Sequence, residues 1–119
     1  MTQVSSIRGG RNVAMKVPAH QFAATVECYR SLGLPILDES ESTVCFEFGP
    51  IRLHVDRVLN LGQAEIWLEL ITSDTNAAAA PVERAGFVRC DHVEKLPEGY
   101  AAFWASNPAS IVHLVSEAE

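Results

Sequence analysis

The chain has 119 residues, of which 48% are hydrophobic and 20% charged, and its formal net charge is −6 at neutral pH. That length supports one domain with its own core, needing neither disulfides nor structural metal, and the composition excludes a disordered chain. Nine lysines and arginines are scattered among fifteen acidic residues without forming a basic stripe, which argues against nucleic acid as a partner.

Residues 1–10 are polar, end in Gly9-Gly10 and read as a loose arm. Residues 1–6 lack the charged start and apolar stretch of a secretory signal, and no apolar run reaches membrane-spanning length. The expectation is a soluble, cytoplasmic chain with no membrane partner. From Asn12 the pattern alternates, with Val13, Met15 and Val17 on one face and Asn12, Ala14 and Lys16 on the other. This predicts a half-buried strand stopped by Pro18. Over residues 19–32 the period lengthens, and Phe22, Val26 and Tyr29 fall at helical spacing before Gly33. Strands are predicted at 35–39, at 43–48 and, after a Gly49-Pro50 turn, at 51–56. In the last of these Ile51, Leu53 and Val55 alternate with Arg52, His54 and Asp56.

After a linker at 58–63 the order repeats. Residues 65–70 alternate as a strand, with Glu65, Trp67 and Glu69 opposite Ile66, Leu68 and Leu70. Ser73 or Asp74 caps a helix that runs to Ala85 and stops at Gly86. Pro81 within it costs about 3 kcal/mol, so a kink or break near Ala80 is expected. Further strands are predicted at 87–90, 99–104 and 111–115, with Tyr100 and Trp104 on one face of theirs and Phe103 on the other. Strand, helix and three strands thus occur twice, giving module one at about 11–57 and module two at about 64–116 of a single domain, 1–119.

Cys28, Cys45 and Cys90 are an odd number without C-x-x-C spacing, the pattern of reduced thiols used as small core hydrophobes. Phosphate-binding glycine loops, a Ser-His-Asp order and zinc-type cysteine clusters are all missing.

The string Asn12-Val13-Ala14-Met15-Lys16-Val17-Pro18, followed by Cys28-Tyr29-Arg30-Ser31-Leu32-Gly33-Leu34, resembles the opening of vicinal oxygen chelate proteins. In this glyoxalase, bleomycin resistance and extradiol dioxygenase superfamily, a strand reading H-V-x-L-x-V leads to a helix ending F-Y-x-x-x-L-G. Ile51-Arg52-Leu53-His54 is similar to the family's fourth-strand I-E-L-H. Glu65-Ile66-Trp67-Leu68-Glu69 is similar to the second module's opening strand, and Val112-His113-Leu114-Val115 to its closing I-E-L-V. The resemblance spans about residues 11–116 and rests on the order and spacing of these motifs. It implies an α+β fold in which two tandem βαβββ modules form a cupped mixed sheet, helices outside, around a small-molecule cavity. It also implies a homodimer, since half-open sheets leave edges to cover.

The resemblance further implies metal-ligand positions on the first and fourth strands of each module, here Asn12, Arg52, Glu65 and His113. Glu65 and His113 suit a divalent ion, Asn12 is a poor ligand, and the permanently charged Arg52 cannot coordinate. Arg52 is expected to pair with Glu65 or to hold an anionic ligand group. A two-residue shift would offer His54, Glu65 and His113 instead, a two-His-one-carboxylate set. On the family analogy Glu65, Trp67 and Glu69 face the cavity, an aromatic plate between carboxylates suited to a cationic or aromatic ligand; otherwise they line an exposed sheet face. A lone strand histidine such as His113 is as readily structural.

The expected function is small-molecule binding without a complete metal site and with no cofactor, through Trp67, Glu65, Glu69, Arg52, His113 and Trp104. The alternative is a lyase, isomerase or dioxygenase in which Zn, Ni, Fe or Mn on Glu65 and His113, with or without His54, acts as a Lewis acid. A third reading is a degenerate module that serves only protein contacts.

Overall fold

In a computed structural model, which describes residues 6–117, the alternation read from the sequence becomes strands and the two helical stripes become helices. The elements are β1 (Ile7–Gly9), β2 (Asn12–Pro18), α1 (Ala19–Ser31), β3 (Ile36–Glu39), β4 (Thr43–Phe48) and β5 (Ile51–Val58). They continue as β6 (Glu65–Thr72), α2 (Thr75–Arg84), β7 (Val88–Arg89), a 3-10 turn (Asp91–Val93), β8 (Ala102–Ser106) and β9 (Val112–Glu117). The chain divides into two units, residues 11–67 and residues 6–10 with 68–117. Strand β6 serves both, its first three residues pairing with β2 and its last five with β9.

Each unit has the same internal topology. In the first, β2 is parallel to β5, which is antiparallel to β4, which is antiparallel to β3. In the second, β6 is parallel to β9, which is antiparallel to β8, which is antiparallel to β7. Parallel partners need a long crossover, and the intervening helix begins it in both cases. The fold is therefore α+β, with the βαβββ unit used twice as the sequence indicates.

Each helix covers one face of its own sheet. In the first module Val17, Leu53, Val55, Val44 and Phe46 pack with Val26 of α1, flanked by Val13, Met15, Phe22 and Tyr29. In the second, Phe103, Ala105 and Val115 pack with Ala78 and Val82 of α2, flanked by Leu70 and Phe87. Because side chains alternate across a strand, residues of the other parity lie on the opposite face. That parity positions every candidate residue.

Two expectations change. Residues 7–9 are not part of a loose arm but pair antiparallel with β6, Gly9 opposite Leu70; residues 1–5 lie outside the described residues. The Gly10 amide then donates to the Glu69 carbonyl at 2.9 Å, and a Cβ on Gly10 would run into the Glu69 side chain and force it to move. Helix α2 also runs unbroken through Pro81. The proline withholds a donor from the carbonyl of Ala77, but Ala77 is exposed and solvent can take up that oxygen. Ala78 and Val82 meanwhile lie fully inside the core, and burying Val82 alone contributes about 1.5–3 kcal/mol, comparable with the proline penalty. The Asp74 carboxylate secures the start by accepting from the amides of Asn76 and Ala77 at 3.0 and 3.2 Å.

If the packed stripe holds α2 continuous despite Pro81, replacing the proline should relieve a standing cost. Pro81→Ala is expected to raise stability by about 1–3 kcal/mol in urea unfolding. An unchanged or lower stability would mean that the proline carries no such cost.

Candidate ligand-binding face

The face of the first module turned away from α1 is polar, and hydrogen-bond register builds it residue by residue. Asn12 lies beside Arg52, Ala14 beside His54 and Lys16 beside Asp56 across the parallel β2–β5 pair. On β4, Glu47, Cys45 and Thr43 lie opposite those same three residues of β5. On the other flank, Glu65 and Trp67 pair with Lys16 and Ala14. Arg52, His54, Glu65 and Trp67 are thus brought onto one face, as their parity indicates.

Lys16 is the centre of this face. Only 5% of it is exposed, and its ammonium bonds Asp56 Oδ2 at 2.8 Å while lying 4.4 Å from the centre of the Trp67 ring. Thr43 Oγ1 donates to the other Asp56 oxygen at 2.8 Å, and Trp67 Nε1 donates to Glu65 Oε1 at 2.9 Å. A buried ammonium is costly unless paired and hydrogen-bonded, so this side chain fixes Asp56 and Trp67 in place. Sequence reading had placed Lys16 and Asp56 on the right face without giving them a role. The available signal was their shared parity with Trp67 and their opposite charges.

His54 and Arg52 have different surroundings. His54 Nε2 is 2.8 Å from Asn12 Oδ1 and 3.8 Å from Cys45 Sγ. Nε2 is thus already within hydrogen-bond distance of Asn12. Glu65 is engaged by the Trp67 indole, and among the described residues no ion pair joins Arg52 to Glu65. The pairing expected from sequence is therefore not formed. Instead Arg52 lines an open groove of about 510 Å3 with Arg11, Glu47, Gly49, Pro50, Ile51 and Leu37. The turn at Gly49 (φ +64°) sets Glu47 opposite Arg52, and a bulge between Ile36 and Asp38 leaves Leu37 as the extra residue at the rim.

In the second module Glu69 and Trp104 both pair with Leu114 and share a face. Glu69 is buried beside Gly10, and Trp104 is buried with its indole donating to the Glu94 carbonyl at 2.8 Å. Asp91 receives the Trp104 amide at 2.9 Å. Burial works against ionising Asp91, but that amide and Arg89 outweigh it and hold the carboxyl below its usual range. His113 pairs with Leu68 rather than Glu65, which turns it to the α2 side. There it packs edge-on against Phe87 at 5.1 Å, its Nδ1 3.0 Å from the Ile111 carbonyl.

These residues do not suit a divalent metal. Among the described residues no group of three or more His, Cys, Asp or Glu is placed to hold one. Asn12 and Arg52 occupy the implied positions of the first module, Glu65 and His54 are committed elsewhere, and His113 lies against the helix side of its own module. No helix among the described residues is long and apolar enough to cross a membrane.

Two of the three cysteines, Cys45 and Cys90, are buried as core thiols. Burial pushes the Cys45 thiol above its ordinary range, with Arg52 pulling part of the way back, and burial likewise raises Cys90. Cys28 is exposed on α1. Iodoacetamide at pH 8 is expected to modify Cys28 in the native protein while sparing Cys45 and Cys90, read by mass spectrometry. Since the raised thiols favour the protonated fold, stability should be full below the ordinary thiol pKa and decline as pH rises past it. Equal labelling of all three would contradict the burial.

No family model matches the sequence, and no curated protein matches it. Solved structures do. The chain is similar to the Mn(II)-bound glyoxalase from Novosphingobium aromaticivorans at 21% identity and TM-score 0.65, covering 96% of this chain and 40% of that one. It is similar to the H200N variant of homoprotocatechuate 2,3-dioxygenase from B. fuscum at 16% identity and TM-score 0.63, covering 96% of this chain and 33% of that one. A glyoxalase/bleomycin resistance protein/dioxygenase superfamily member from Vibrio splendidus 12B01 matches at 11% identity and TM-score 0.60, over 95% of this chain and 100% of that one. The chain therefore spans less than half the length of the first two. With repeated βαβββ units and these neighbours, the fold is that of the glyoxalase/bleomycin resistance protein/dioxygenase superfamily.

Proposed function

We propose that the chain binds a small molecule on the polar face of its first module and does so without a metal ion. The observation that carries this reading is Arg52, a fixed positive charge at a position where the resemblance implies a metal ligand, lining an open groove instead of pairing with Glu65. A guanidinium at a few ångströms would repel a divalent cation, and it holds its charge at any physiological pH. The rest of the face supports the same reading. Further along the same face Lys16 bonds Asp56 and lies over the Trp67 ring, so that end of the face is held by its own contacts. The groove volume lies within the range of small-molecule sites.

A metal-dependent enzyme would have to draw its donors from Glu65, His54 and His113. Glu65 and His54 already bond Trp67 and Asn12, and His113 packs on Phe87. The names of the similar structures speak for those proteins, and at 21% identity or below they carry the fold.

The test is a thermal-shift screen of a small-molecule library on chelator-treated protein. Ligands that bind the native state raise Tm by mass action. The expected result is stabilisation by some compounds that is the same with and without EDTA, and no shift from added Mn(II), Zn(II) or Ni(II). Stabilisation that appears only when a metal is restored would contradict the proposal.

A further inference from the structure

The groove of the first module has an uneven chemistry. Arg11 and Arg52 stand side by side, since the Arg52 amide donates to the Arg11 carbonyl at 2.8 Å. Among the described residues neither guanidinium forms an ion pair or a side-chain hydrogen bond. Glu47 also lines the groove, directly opposite Arg52 in the β4–β5 ladder, yet no ion pair joins them. Two guanidiniums and one carboxylate leave the groove net positive in a chain whose formal charge is −6. Beside the charges lie Leu37 and Ile51, both apolar, with Leu37 brought to the rim by the β3 bulge.

An unpaired fork of N–H donors is matched by a planar anion, which it engages with two parallel bonds. The negative protein as a whole repels anions, but that field is screened beyond about 8–10 Å, whereas contact with the guanidiniums is not. A small inorganic anion would satisfy the charge and leave Leu37 and Ile51 without an occupant. An organic acid satisfies both.

We propose that this groove takes an organic carboxylate, its anionic group against Arg52 and Arg11 and its apolar body against Leu37 and Ile51. The inference rests on the binding function proposed above and names the class of ligand. Arg52 supplies most of the attraction because it is half-buried, while Arg11 is exposed and better screened. Glu47 opposes binding and so limits affinity.

The probes are benzoate, benzyl alcohol, benzylamine and inorganic phosphate, titrated into isotopically labelled protein and followed by amide chemical shifts. Benzoate is expected to move the Gly49, Ile51 and Arg52 amides, less strongly as salt is raised, and to bind more tightly than phosphate. Arg52→Gln should weaken it about tenfold or more, Arg52→Lys by less, and Glu47→Gln should tighten it a few-fold. A spectrum that is otherwise unchanged shows that each variant is folded. Absence of benzoate binding, or affinity unaffected by Arg52→Gln and Arg52→Lys alike, would overturn the inference. Phosphate binding as tightly as benzoate would overturn the role given to the apolar wall. If the alcohol or the amine binds this groove as well as benzoate, the carboxylate class falls while the binding function stands. If benzoate binds only after Zn(II) or Mn(II) is added, the metal-independent function itself falls.

Discussion

A single buried ammonium organises the polar face. Lys16 sits in the middle of a sheet, on the face that no helix of its module covers, and solvent hardly reaches it. Bare burial of that charge would cost several kcal/mol, so the surrounding residues are constrained to answer it. Asp56 supplies the counter-charge from β5, Trp67 supplies its ring from β6, and Thr43 holds the Asp56 carboxylate from β4. Three strands are thereby tied to β2 by side chains as well as by backbone. On the same face His54 is held by Asn12, while the Arg52 guanidinium makes no ion pair among the described residues.

That arrangement also sets what the face can do. Members of this fold with metal chemistry need donors converging from several strands, oriented and free to coordinate. Here the candidate donors hold one another: His54 with Asn12, Glu65 with Trp67. What is left over is positive charge. Arg52 and Arg11 line the groove without partners among the described residues, which is the basis of the proposal that the groove takes an anion. Cys45 does not alter this, because burial keeps it a thiol beside His54.

The legible part of the fold was whatever depended on period. Alternation along β2, β5, β6 and β8 assigned faces correctly, placing Arg52 with His54 and separating Phe103 from Trp104. The doubled order of elements gave the topology of both modules. What escaped was whatever depended on pairing across the chain. His113 read as an equivalent of Arg52, but the β6–β9 register sets it beside Leu68, and register is a tertiary choice that a short apolar strand does not announce. The strand at residues 7–9 escaped for a related reason: Ile7-Arg8-Gly9 has no pattern of its own and forms by adding to β6. Helix α2 is not broken at Pro81, where local propensity alone points to a stop, because Ala78 and Val82 are buried beside it. The Arg52–Glu65 pair was a choice between two partners for each group, and the indole of Trp67 took the carboxylate.

The central proposal is that this chain binds its ligand without a metal ion. Elemental analysis of the protein, purified without chelator, addresses it most directly. The account predicts transition-metal content far below one ion per chain, with no single metal standing out across preparations. A content approaching one equivalent of Mn, Fe, Ni or Zn per chain would contradict it and return the donors at Glu65, His54 and His113 to the centre of the question.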